Sequence, residues 1–143
     1  MSVKQVSVFL ENTPGSLRKV TKLLSSNNID LIALSIAETR DFGILRAIVA
    51  DVDKAVRILT EANYIGKITE VLAVAVPDCP GGLDSVLAIF EENNIAVEYM
   101  YSFVRTSEDK ALLIFRVEDP EFASNVLAAN HIRLLSQEEV TVL

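Results

Sequence analysis

The sequence holds one cysteine and one histidine in 143 residues, and those two scarcities remove whole classes of chemistry. A single cysteine cannot close a disulfide within the chain, which fits a reducing compartment. Cys79 has no Cys-x-x-Cys partner and no neighbouring histidine, so neither a thiolate metal site nor a paired thiol nucleophile is encoded. His131 aligns with Tyr64 of the stretch Asn63-Tyr64-Ile65 and reads as a turn residue rather than a base or ligand. No catalytic residue, metal or cofactor is expected from this inventory.

Positive charge is also short. Thirteen Lys and Arg stand against 20 Asp and Glu, a net charge of −7, and such a field repels phosphate backbones and anionic lipid surfaces. Neither nucleic acid nor a membrane is expected as a partner. No apolar run reaches the roughly 18 residues that span a bilayer. Met1-Ser2-Val3-Lys4 leads into a strand pattern with no signal-peptide core, so the expected address is the cytoplasm. Tryptophan is absent, and only five Gly and four Pro interrupt a chain that is half hydrophobic, a composition of ordered, compact structure.

What the chain does have is a repetition. Asn12-Thr13-Pro14-Gly15-Ser16-Leu17 returns as Asp78-Cys79-Pro80-Gly81-Gly82-Leu83, an offset of 66 (80 − 14), and Asn28-Ile29 returns as Asn94-Ile95 at the same offset. A fixed-period match at half the length argues for a duplicated unit, here residues 1–70 and 71–143. Units of that size bury too little surface to be stable alone, so the halves are expected to share an interface.

Alternation of Val6, Val8 and Leu10 predicts a strand over 4–10. Thr13 as N-cap and Pro14 at the first helical position predict a helix over 14–26, with Leu17, Val20, Leu23 and Leu24 on one face and Asn27-Asn28 as its stop. Strands follow over 31–38 and 44–50, joined by a hairpin loop at 39–43, and Asp51 caps a helix over 52–62. A strand over 68–76 serves both halves. The second half repeats the pattern with helices over 80–92 and 120–129, strands over 97–104 and 111–117, and a tail 132–143 that mirrors 65–76. Its hairpin is two residues longer, because Asp119 matches Asp51 at an offset of 68 (119 − 51). Cys79 is a poorer cap than Thr13, which leaves Asp78 to serve the second helix start. The fold class is α+β: two ferredoxin-like βαββαβ units side by side, an antiparallel eight-stranded sheet with helices on one face.

Tyr99, Tyr101 and Phe103 alternate along one strand opposite smaller residues and read as packing. Apolar residues on both faces of several strands suggest that the helix-free face is covered, most simply by a second copy of the chain.

A helix start offers unpartnered N–H groups to a carboxylate, and Gly15 and Gly81 would let a ligand approach the backbone closely. Asn12 or Asp78 beside it would accept from an ammonium group. Together these suit the two charges of an α-amino acid. Residues 10–17 with Asn28-Ile29, and 76–83 with Asn94-Ile95, resemble the signature of the ACT domain family twice over, across nearly the whole chain. That resemblance implies a regulatory module binding an amino acid between two such domains, whose second strands lie edge to edge. It places ligand-binding residues at Asn12, Thr13, Pro14, Gly15, Ser16 and Leu17, and at Asp78, Cys79, Pro80, Gly81, Gly82 and Leu83. Asn28, Ile29, Asn94 and Ile95 join them, with Leu34 and Met100 on the second strands as pocket walls. The implied protein is a non-catalytic homodimer that binds a free amino acid at the seam of its repeats and regulates another protein in trans.

Three alternatives belong to other classes. The β-α-β-β-α-β order also occurs in RNA-recognition domains, but Ile44-Leu45-Arg46-Ala47-Ile48 lacks their aromatic pair. An acylphosphatase-like enzyme would grip an anion with Arg18 and Lys19, yet no nucleophile stands with a base. A protein-interaction module without any ligand is the third.

Overall fold

The computed structural model describes residues 1–38, 41–104 and 109–143. The chain divides into two compact units, Lys4–Thr69 and Glu70–Leu143, the latter joined by Met1–Val3.

The first unit runs through β1 (Val3–Glu11), α1 (Ser16–Ser26), β2 (Leu31–Glu38), β3 (Phe42–Val49) and α2 (Val52–Glu61) into the start of β4 (Gly66–Pro77). β3 lies between β1 and β2, antiparallel to both, with Leu45 opposite Val8 on one side and Ile36 on the other. The Phe9 N–H donates to the Ile65 carbonyl at 3.2 Å, which brings the chain after α2 alongside β1. Period two in the strand puts Val6, Val8 and Leu10 on one face, and period 3.6 puts Val20 and Leu24 of α1 and Ala55, Ile58 and Leu59 of α2 against them. Each buried aliphatic side chain contributes about 1.5–3 kcal/mol of transfer free energy. Asp51 caps α2 as expected, its carboxylate accepting from the Lys54 N–H at 3.1 Å.

The second unit continues β4 and adds α3 (Gly82–Glu92), β5 (Val97–Ser102), β6 (Lys110–Val117), α4 (Pro120–Ala129), β7 (Arg133–Leu134) and α5 (Gln137–Thr141). Its strand order is β5-β6-β4-β7, with Val74 opposite Leu113 on one side and Leu134 on the other. The core is separate from the first: Leu72, Val74 and Phe115 meet Val86 and Phe90 of α3 and Leu127 of α4. Phe90 and Phe115 contact edge to face at a centroid distance of 5.4 Å. Both second strands carry a register shift at the same place, between Leu31 and Ala33 and between Val97 and Tyr99. The expected packing role of Tyr101 and Phe103 agrees with their burial, at 9% and 7% exposed.

Two expectations are corrected. The described residues form seven strands, not eight, because the tail does not mirror 65–76. After a two-residue β7 the chain turns into α5, where the Ser136 hydroxyl accepts from the Glu139 N–H and the Glu139 carboxylate accepts from the Ser136 N–H. That reciprocal capping box overrides the strand pattern around Glu139-Val140. Secondly, Ala33, Ile48 and Ile114 are buried within a single chain, so apolar residues on both strand faces do not by themselves call for a second copy. The hairpin positions Thr39 and Arg40, and 105–108 of the longer second loop, lie outside the described residues.

Candidate functional site

The two repeated loops are turns before they are anything else. The Ser16 N–H donates to the Thr13 carbonyl at 3.2 Å, and Gly15 sits at φ 85°, ψ −7°. In the second unit the Gly82 N–H donates to the Cys79 carbonyl at 3.0 Å, with Gly81 at φ 92°, ψ −7°. Proline second and a left-handed glycine third define a type II turn. The helices therefore begin at Ser16 and Gly82, two residues later than the prolines predict, with the glycines as N-caps. Thr13 does not cap α1: its hydroxyl pairs with the Ser16 hydroxyl at 2.6 Å. Asp78 does not cap α3, and neither helix has a side-chain cap. The turns engage the N–H groups of Ser16 and Gly82, and no side chain caps the first-turn N–H groups that follow them.

Asn28 and Asn94 have a geometric job as well. Asn28, at φ 57°, donates its N–H to the Ser25 carbonyl while Ile29 donates to Leu24; Asn94, at φ 56°, and Ile95 do the same with Glu91 and Phe90. This is the Schellman closure of a helix, in which a left-handed residue is followed by an apolar one. Asn63-Tyr64 and His131-Ile132 close α2 and α4 in the same way. His131 is therefore the counterpart of Asn63, not of Tyr64. At about 1.5 Å per residue, the 11 residues of α1 hold Asn28 and Ile29 roughly 16 Å from Gly15, so one unit does not bring the Asn-Ile pair to its own loop. Asn94 and Ile95 stand likewise at the far end of α3 from Gly81.

One cleft of ≈ 380 Å³ opens in the first unit beside the start of α1. Phe9 and Glu11 reach it from the end of β1, Ser16 and Lys19 from the first turns of α1, Phe42 from the start of β3, and Tyr64 and Ile65 from the loop after α2. Register explains the grouping, since Glu11 lies directly opposite Phe42. Of the expected ligand residues only Ser16 lines this cleft; Asn12, Thr13, Pro14, Gly15 and Leu17 do not. Leu17 packs against the first core and Leu34 stands exposed on β2. Met100 is half-buried against the second core, opposite Phe115.

The cleft carries one charge of each sign. Neither the Glu11 carboxylate nor the Lys19 ammonium is engaged in an ion pair or side-chain hydrogen bond among the described residues. Lys19, the Ser16 hydroxyl and the open helix start can hold a carboxylate, and Glu11 can accept from an ammonium group. The sequence reasoning missed Phe9, Glu11, Phe42, Tyr64 and Ile65, and named Lys19 only as an anion grip in the enzyme alternative. A signal was there: Phe9 is a large apolar residue in the outward phase of its strand, and it is 45% exposed.

The second unit fills the same positions differently. The strand positions of Phe9 and Glu11 are taken by Ala75 and Pro77, and Lys110 stands opposite Pro77 as Phe42 stands opposite Glu11. Ser85 replaces Lys19 and donates to the Gly82 carbonyl at 2.7 Å. Gly82 replaces Ser16 and is buried, with the Pro77 carbonyl oxygen in the space a Cβ would need. Arg133 stands where Ile65 does, paired with Ala75, and its guanidinium is held by Glu139 of α5 at 2.8 Å. Three of these, Ala75, Lys110 and Arg133, line a smaller cleft of ≈ 230 Å³ together with Glu139 and Val142. Among the described residues no cluster of His, Cys, Asp or Glu could hold a metal ion, and no helix is long and apolar enough to cross a membrane.

Two βαββαβ repeats with matching loops, bulges and helix closures define an α+β protein of tandem ferredoxin-like modules. The family is settled by comparison: the model of the ACT domain pair matches residues 1–143, and the chain belongs to that family. The crystal structure of protein BT0572 from Bacteroides thetaiotaomicron is similar at 38% identity and a TM-score of 0.93, over 100% of this chain and 98% of that one. The regulatory subunits of aspartate kinase from Thermus thermophilus and Thermus flavus share the fold at 18% and 13% identity, with TM-scores of 0.64 and 0.62. The match covers 90% of this chain in both cases, and 89% and 90% of those chains. No curated protein matches the chain.

Proposed function

We propose that the protein is a non-catalytic regulatory sensor of a free amino acid, built from two ACT modules, 1–70 and 71–143, and acting on another protein in trans in the cytoplasm. The observation that carries this reading is the pair of uncommitted opposite charges, Glu11 and Lys19, facing one cleft at an uncapped helix start. Its volume falls in the range of about 300–1,000 Å³ common to small-molecule sites. The Ser16 hydroxyl pairs with the Thr13 hydroxyl rather than with Glu11 or Lys19, which supports binding without turnover.

Thermal unfolding in the presence of each amino acid at millimolar concentration tests it. A ligand that binds only the folded chain raises stability by RT ln(1 + [L]/Kd), about 2.7 kcal/mol at a hundredfold excess over Kd. Lys19→Met should remove the response. Absence of stabilisation by any amino acid sinks the proposal.

One observation favours a second reading, that of a self-associating interaction module. β2 pairs only with β3 among the described residues, and its Leu34 and Ile36 are 36% and 40% exposed. An unpaired apolar edge is a surface for another strand. The homodimer expected from the resemblance would use it, and Ile36→Lys should then convert dimer to monomer in light scattering.

A further inference from the structure

We infer that the cleft of the first unit selects an amino acid with a large apolar side chain, and that the second unit offers no equivalent site, so that one chain binds one ligand. The inference rests on the cleft being an amino-acid site at all.

The selectivity argument starts from side chains with no reason to be exposed for folding. Phe9, Phe42 and Ile65 are 45%, 56% and 71% exposed, and all three rim the same cleft beside the half-buried Tyr64. Large apolar groups gathered around a small concavity are a binding surface rather than random surface composition. The charges that suit the backbone ends of an amino acid, Glu11 and Lys19, lie in the same concavity. An apolar ligand side chain would bury those rims. A carboxylate or ammonium in its place would be desolvated against phenyl and aliphatic groups, with only one counter-charge of each sign, both already serving the ligand backbone.

The non-equivalence argument uses the same positions. Both charges and most of the apolar rim of the first cleft are lost in the second unit: the acid becomes Pro77, the lysine becomes Ser85, and Phe9, Phe42 and Ile65 become Ala75, Lys110 and Arg133. Arg133 is also occupied by Glu139 of α5, an element the first unit lacks.

Isothermal titration of the full chain with L-phenylalanine, L-leucine, L-aspartate and L-lysine tests both halves of the inference. At least one apolar amino acid should bind with a stoichiometry of one per chain, about tenfold or more tighter than either charged one. Phe42→Lys and Ile65→Arg, which write the second unit's residues into the first, should each weaken that binding by a similar factor of about ten. Both positions are exposed, so the urea midpoint should hold. Lys110→Ala should leave binding unchanged. Tighter binding of aspartate or lysine overturns the inference while leaving the amino-acid reading standing, as does a stoichiometry of two. No response to any amino acid overturns both. If Phe42→Lys leaves ligand affinity intact and instead halves the mass in light scattering, the rim belongs to a second copy of the chain and the inference fails.

Discussion

Replacing glycine in the two turns separates three roles that the residue type alone cannot distinguish. At Gly15 and Gly81 a Cβ would meet nothing within 4 Å, but φ is +85° and +92°. At Gly82 the backbone is helical, and the Cβ would run into the Pro77 carbonyl oxygen. Gly15→Ala and Gly81→Ala should therefore each cost the left-handed penalty of an L-residue, about 1–2 kcal/mol. Part of that is offset by the roughly 0.4–1 kcal/mol gained from a stiffer unfolded chain, leaving a net loss near 1 kcal/mol. Asparagine tolerates the left-handed region, so Gly15→Asn should recover most of the loss. Gly82→Ala carries no φ penalty, but the backbone at the end of β4 must move, at about 1–3 kcal/mol or more, and asparagine there should be worse rather than better. Urea titration of each variant reads these differences. With a slope of about 1–3 kcal/mol per molar, a loss of 1 kcal/mol moves the midpoint by roughly 0.3–1 M. Ligand affinity is the third readout: because Gly15 does not line the cleft, Gly15→Asn should leave it within about twofold. If asparagine is no better than alanine at Gly15, the turn geometry is not what the glycine supplies. If Gly15→Asn abolishes binding while preserving stability, the glycine serves close approach of the ligand after all.

Asn28→Val should destabilise by about 1–2 kcal/mol because a β-branched residue is strained at φ 57°, whereas Asn28→Gly should be near neutral; the same urea experiment decides, and equal effects would refute the Schellman role. Phe90→Ala should cost about 3–5 kcal/mol and Phe90→Leu under about 1.5 kcal/mol beyond the lost edge contact with Phe115, measured as the loss of cooperative unfolding of the second unit. The Glu139 carboxyl is held below its ordinary pKa, first by the Ser136 N–H and then by Arg133. Its contribution to α5 should be complete above about pH 4.3 and disappear as the pH falls through the lower folded value. Amide exchange at Val140 followed on acidification checks this, and Glu139→Gln, which keeps the capping geometry, should flatten the dependence.

Where a residue type has one geometric use, its structural role was legible in advance. Asp51 caps α2, Asn28 closes α1, and α4 occupies the expected 120–129 because each signal points one way. Thr13-Pro14-Gly15 points two ways, since threonine then proline also opens a type II turn, and the left-handed glycine decided for the turn. The tail failed for the opposite reason. Matching Glu139-Val140 to Glu70-Val71 carried the repeat past the point where Ser136 and Glu139 had already written a helix start of their own.

The residues that rim the cleft escaped notice because the reasoning followed what recurs. Pro14, Gly15, Asn28 and Ile29 recur as Pro80, Gly81, Asn94 and Ile95 because both modules need the same turn and the same helix closure, whatever either one binds. A constraint shared by two copies of a fold is first a constraint of the fold. On the proposed reading, ligand choice sits where the copies differ: glutamate against proline at 11 and 77, lysine against serine at 19 and 85, phenylalanine against lysine at 42 and 110. Those three positions lie on three elements, and only the register of β1 with β3 and the first turns of α1 gather them into one cleft. Repetition thus identifies the scaffold, and its local failure marks the surface to which the proposed recognition by one module is assigned.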